Sequence, residues 1–196
     1  MNAQKSQVVL FSKCLKETPN KDSLNLKLFN EKIPVQDEAV YLGITFDRRL
    51  SWEQQITKMA SKAYGRLNLM RAVSGLSSKP NPSLLSKLYN ATIRTIFEYA
   101  SICIVSAAEV HLGKLEVIHN EALRIILKLP AYIPVKIMND CAGQIPIKTH
   151  LIRFAKERIS CLRQSSPLVR KSIEDYSQIR INQYNFSPLD ALKLHV

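Results

Sequence analysis

The chain has 196 residues, 46% of them hydrophobic, which is enough for a packed core and excludes a disordered polypeptide. Lys and Arg number 28 against 16 Asp and Glu, giving a net charge of +12 and a pI of about 9.7. A surplus of that size points to a polyanionic partner, nucleic acid before an acidic membrane. Cys14, Cys103, Cys141 and Cys161 are far apart, with no C-x-x-C pair and no His at zinc-ligand spacing. They read as reduced thiols of an intracellular protein, cytoplasmic or nuclear. No apolar run reaches about 18 residues and no apolar h-region follows the N-terminus, so neither membrane insertion nor export is expected.

Val8 to Phe11 carries a short strand signal. Leu24, Leu26 and Leu28 alternate with polar residues at the period of a half-buried strand, and Ile33-Pro34-Val35 reads as an edge strand after an Asn30-Glu31 turn. Ala39 to Phe46, rich in β-branched and aromatic residues, reads as a last strand. Gly43 falls inside it, where a side chain would obstruct another backbone or a ligand. Residues 7–46 are therefore expected to form a small antiparallel sheet. Asp47-Arg48-Arg49 is a charged exit, Ser51 a helix N-cap, and Glu53 and Gln54 suit a first turn, so the strand feeds into a helix.

From Ser51 to about Val73 the apolar residues Ile56, Met59, Ala60, Ala63, Leu67 and Met70 recur at helical spacing. Beside that stripe Lys58, Lys62 and Arg66 are spaced by four, so neighbours stand about 6 Å apart along one rigid helix, a row that can follow a phosphate backbone. Asn81-Pro82 opens a second helix with a stripe from Leu85 to Tyr99. Ser106-x-x-Glu109 has the spacing of a capping box and opens a third, which Pro130 stops. A short helix near Pro134 to Cys141, stopped by Gly143, precedes a final one over 147–163. Beyond Ser165-Ser166-Pro167 the chain turns polar. The expected class is α+β: a small N-terminal antiparallel sheet over 1–50, a mainly α-helical bundle with basic outer faces over 51–165, and a loosely attached tail over 166–196.

Catalytic chemistry has few candidates. Asp37-Glu38 and Glu174-Asp175 are the adjacent carboxylates, and neither pair lies in an apolar strand–turn–strand that would hold two metal ions for nucleotidyl transfer. Asp47 is a lone acid at a strand end and reads as a turn or cap residue, and His119 as an interface or surface histidine. Gly totals only 5, without a phosphate-binding Gly-rich loop. No active site is expected in the chain.

Several stretches carry a resemblance. Tyr41-Leu42-Gly43-Ile44-x-Phe46-Asp47-x-x-Leu50-x-Trp52, followed by Ile56, resembles a segment of the reverse transcriptases of non-LTR (LINE, jockey-like) retrotransposons, where it forms the primer grip between palm and thumb. Asn2-x-x-Lys5-Ser6, with Leu10-Phe11-Ser12, is similar to the end of the palm in that family, and Lys5 falls at a lysine near the incoming nucleotide. Phe97-Glu98-Tyr99-Ala100-Ser101 is similar to a further block, although Cys103 or Ile104 stands where Trp is usual. Ile118 to Ile126 resembles another, with His119 in place of the usual Gln; Leu129-Pro130 and Gln144 to Ile147 fit positions beyond it.

The resemblance covers roughly residues 2–165. It implies the end of the palm, the primer grip and the thumb of an RNA-directed DNA polymerase, holding a primer–template duplex. Lys5, Gly43, Arg48, Arg49, Lys58, Lys62 and Arg66 would bind nucleic acid. The catalytic carboxylates would belong to an upstream polymerase segment, so the chain by itself would be inactive. Divalent metal would be needed only in the full-length enzyme. The alternative is a stand-alone helical protein-interaction module with incidental basic charge.

Overall fold

A computed structural model describes residues 6–12, 26–75 and 80–178, with backbone alone for 173–178. Lys5, Cys14 and Leu24 lie outside the described residues. The class is α+β, strands first and helices after, as composition and periodicity predict. The chain divides into two compact units, Met1–Gln55 and Ile56–Val196.

In the first unit the strands pair two by two. β1 (Val8–Val9) lies parallel to β4 (Val35–Gln36). β2 (Lys27–Leu28) is antiparallel to β3 (Glu31–Lys32), and β5 (Glu38–Tyr41) is antiparallel to β6 (Ile44–Asp47). The stretch 39–46, expected as one strand, is thus a hairpin, and Gly43 sits in its turn rather than in a strand. Leu42 and Gly43 have φ of 48° and 76°, the doubly positive φ of a type I′ turn, whose twist matches that of the flanking strands. The other hairpin does the same with Phe29 (φ 50°) and Asn30 (φ 66°), one residue earlier than the Asn30-Glu31 turn expected. Alternation alone could not separate these readings, because a two-residue turn preserves the period of two. Gly43→Ala is expected to destabilise this unit by about 1 kcal/mol or more, measured by urea unfolding, since a Cβ there meets the left-handed penalty.

Asp47 organises the corner that follows. Its Oδ2 accepts from Ser51 N and its Oδ1 from Trp52 N, both at 2.9 Å, while its carbonyl accepts from Leu50 N at 2.9 Å. This anchorage holds Leu50 (φ 52°) and Trp52 (φ 64°) in the left-handed region, where non-glycine residues are strained. Trp52 is thereby buried, edge-on to Phe46 at 5.3 Å, and Phe46 meets Phe11 at 6.5 Å. Buried Gln55 completes the corner by accepting from Thr45 N at 2.8 Å.

α1 (Glu53–Ser74) carries the expected stripe: Ile56, Met59, Ala60, Ala63, Leu67 and Met70 are all buried. Asn81 caps α2 (Pro82–Tyr89), its side chain accepting from Ser83 N at 3.0 Å. The second helix is not continuous to Tyr99. A π turn over Asn90–Arg94 interrupts it before α3 (Thr95–Tyr99), and Ala100 breaks it again before α4 (Ser101–Ile104). Thr92 and Thr95 bond back to the carbonyls of Leu88 and Ala91, a pattern that bends helices.

α5 (Glu109–Leu127) begins after Ala108, with no side-chain cap. The N-cap position is Ala108 and not Ser106 as the capping box predicts; Ser106 Oγ donates to Cys103 O, and Glu109 pairs with Lys148. α6 (Val135–Ala142) ends at Gly143 with φ 59°, as its glycine stop predicts. α7 (Ile147–Ser165) receives Glu116 of α5 at its first turn, where Oε2 accepts from Lys148 N at 3.4 Å. The polar stretch beyond it opens with a further helix, α8 (Pro167–Gln178), in contact with α7. Leu85, Tyr89, Ile93 and Phe97 pack with Leu115, Ile118, Leu123 and Leu151 in the core of this unit. Ion pairs tie the helices outside the core: Arg71 of α1 with Glu121 of α5, and Lys148 of α7 with Glu109. No helix among the described residues is long and apolar enough to cross a membrane.

Candidate nucleic-acid interface

The predicted binding residues fall in both units. In the first, Gly43 makes the exposed hairpin turn, and Arg49 is exposed. Arg48 is half-buried, its side chain turned to Asp37 at 3.9 Å and its N–H bonded to the Asp37 carbonyl. That arginine braces the base of the β5–β6 hairpin. In the second unit Lys58, Lys62 and Arg66 are all exposed along α1, off the buried stripe.

Lys62 and Arg66 share an open groove of about 960 Å³. One wall is α1, through Ser61, Lys62, Gly65, Arg66 and Leu69; the other is the π turn and α3, through Ala91, Thr92, Thr95 and Ile96. Gly65 and Ala91 are the smallest of the lining residues. The rim is cationic, and no carboxylate lines it. Neither Lys62 nor Arg66 has an ion-pair partner among the described residues, so their charge is directed to solvent rather than spent within the fold. Gly65, Thr92 and Thr95 escape a reading from periodicity. The signal available for Gly65 is a glycine inside a strong helical pattern; nothing local marks the two threonines, which the π turn brings opposite α1.

A polar cluster ties the second helix, which carries one wall of the groove, to α5 and α7. The Tyr89 hydroxyl lies 2.5 Å from His119 Nδ1, and both residues are buried. His119 is therefore a core residue, not the interface or surface histidine expected. Burial, reinforced by the positive charge of Arg94 and by His150, lowers its pKa to about 4, so the ring is neutral at pH 7 and Nδ1 can accept a hydrogen bond from the hydroxyl. Burial also raises the Tyr89 hydroxyl well above its usual range. Next to this pair, Arg94 Nε donates to Glu98 Oε1 at 3.0 Å, and Glu98 Oε1 lies 2.7 Å from His150 Nε2. Burial lowers the His150 pKa despite the opposing Glu98 carboxylate. Arg94 leaves the π turn and Glu98 belongs to α3, so the network fastens the groove's outer wall to α7.

Among the described residues no group of three or more His, Cys, Asp or Glu side chains is placed to hold a metal ion. Asp47 has both carboxylate oxygens committed to backbone N–H groups. Cys103, Cys141 and Cys161 are free thiols.

No family model matches the chain, and no solved structure gives a significant match. The chain is 25% identical over 201 aligned positions to the "RNA-directed DNA polymerase from mobile element jockey" of Drosophila funebris. The alignment takes in 98% of this chain and 21% of that protein. The chain thus spans about a fifth of the curated relative it matches, and over nearly its whole length it is distantly related to a piece of a retrotransposon RNA-directed DNA polymerase.

Proposed function

We propose that the chain holds a primer–template duplex by its sugar–phosphate backbone, as the palm-end, primer-grip and thumb portion of a reverse transcriptase. The observation that carries this reading is the α1 groove: two unpaired cations on one rigid helix, with no carboxylate among the lining residues. The net charge of +12 supports the same class of partner. The similarity to part of a mobile-element polymerase supports the context, and nucleotide transfer itself is assigned to an upstream polymerase segment carrying the metal ligands.

Salt titration tests the proposal against an apolar protein-binding module. Affinity for a short fluorescein-labelled RNA–DNA hybrid, followed by anisotropy, is expected to fall steeply between about 50 and 200 mM salt, since each neutralised phosphate releases counterions. Base sequence should matter little, because phosphate contacts position a duplex without reading it. No measurable duplex binding at the low end of that range would overturn the proposal.

A further inference from the structure

Gly65 has no structural reason to be glycine. It lies in the interior of α1, where glycine is the poorest helix former apart from proline. Its backbone is helical, so no left-handed conformation calls for it. A Cβ built there would meet nothing within 4 Å, so no neighbour in the fold calls for it either. What distinguishes the position is the groove. Lys62, Gly65, Arg66 and Leu69 stand at the i, i+3, i+4, i+7 spacing of one helix face, and all four line it, opposite Ala91.

We infer that Gly65 is a window in α1, kept free of a side chain so that the backbone of a bound nucleic-acid strand rests directly against the helix. This rests on the proposed function and deepens it. Lys62 and Arg66 flank the window about 6 Å apart along the axis and take phosphates, while the sugar between them settles over the glycine. The occupant follows from charge complementarity: the lining holds two cations and no anion, which suits a sugar–phosphate chain better than an apolar helix. Gly65 thereby takes the role that the sequence suggests for Gly43.

Gly113 supplies the internal control. It too is an exposed glycine inside a long helix, α5, with nothing within 4 Å of an added Cβ, yet it is not part of the groove. In the full chain, Gly65→Leu and Gly113→Leu should both raise the thermal midpoint, because each replaces glycine by a strong helix former in open space. Only Gly65→Leu should weaken binding of the labelled RNA–DNA hybrid, by about tenfold or more, and Gly65→Ala should weaken it less. A more stable protein that binds less well is the signature of a window.

Hybrid binding by Gly65→Leu equal to that of the parent chain overturns the inference, as does an equal loss in Gly113→Leu. The double variant Lys62→Gln, Arg66→Gln separates this failure from that of the proposed function. If the double variant weakens binding and Gly65→Leu does not, the groove reading stands and the window falls. If neither weakens it, both fall.

Discussion

Replacing Lys58, Lys62 and Arg66 together by Gln is expected to weaken duplex binding about a hundredfold near 0.15 M salt and to flatten its salt dependence. Each phosphate contact contributes about 0.9 to the log–log slope, so losing three removes nearly three units. Lys62 and Arg66 line the groove and should account for most of the change, with Lys58 contributing less. The fold should survive, because all three side chains are exposed, lie off the buried stripe, and give way to a comparable helix former. The comparison set must also be exposed cations, outside the groove. Lys148 is unsuitable, since it pairs with Glu109 and its charge is already engaged. Lys87, Lys136 and Arg163 are exposed and do not line the groove. If their replacement by Gln reduces the slope equally, the protein binds through a diffuse positive field and not through α1.

Asp47→Ala is expected to destabilise the first unit by about 2–3 kcal/mol. The carboxylate accepts two backbone N–H bonds, from Ser51 and Trp52, and its removal takes away that support from the left-handed conformation of Trp52. Trp52 is the one tryptophan of the chain, so urea unfolding followed by its fluorescence reads this corner directly. A pH dependence follows. Burial pushes the Asp47 carboxyl up, but the N–H donors of Ser51 and Trp52 outweigh it, and the net pKa lies below the ordinary value of 3.8. A depressed folded-state pKa gives stability that is fully present above the unfolded pKa and is lost as the pH falls through the folded one. Asp47→Asn, which keeps one acceptor and no charge, should therefore trail the parent chain at pH 7 and draw level with it on acidification below about pH 4. A constant gap across that range would show that the charge does not anchor the corner.

The resemblance in the stretch from Tyr41 to Trp52 gains a physical meaning from this corner. Leu42 and Gly43 make a turn, Asp47 ties the chain back, Leu50 and Trp52 take positive φ, and Trp52 fills the small aromatic cluster. Residues that read in sequence as a nucleic-acid grip serve first to build a tight strand-to-helix exit. Arg48 follows the same rule, being engaged by Asp37, whereas Arg49 stays exposed.

Features set by local chemistry are legible in the linear chain. The α1 stripe, the Asn81-Pro82 start, the Gly143 stop and the role of Asp47 as a cap depend on spacing of a few residues and on nearby side-chain donors and acceptors. Features that depend on distant partners emerge only when the helices pack. Glu109 fits a capping box by spacing, yet its charge goes to Lys148, 39 positions away, because α7 packs alongside α5. His119 shows one polar ring to the sequence and becomes a buried neutral base only because Tyr89 is brought to it from α2. One wall of the groove is built on a π turn, and a hydrogen-bond ladder that slips by one residue leaves no mark in hydrophobic periodicity.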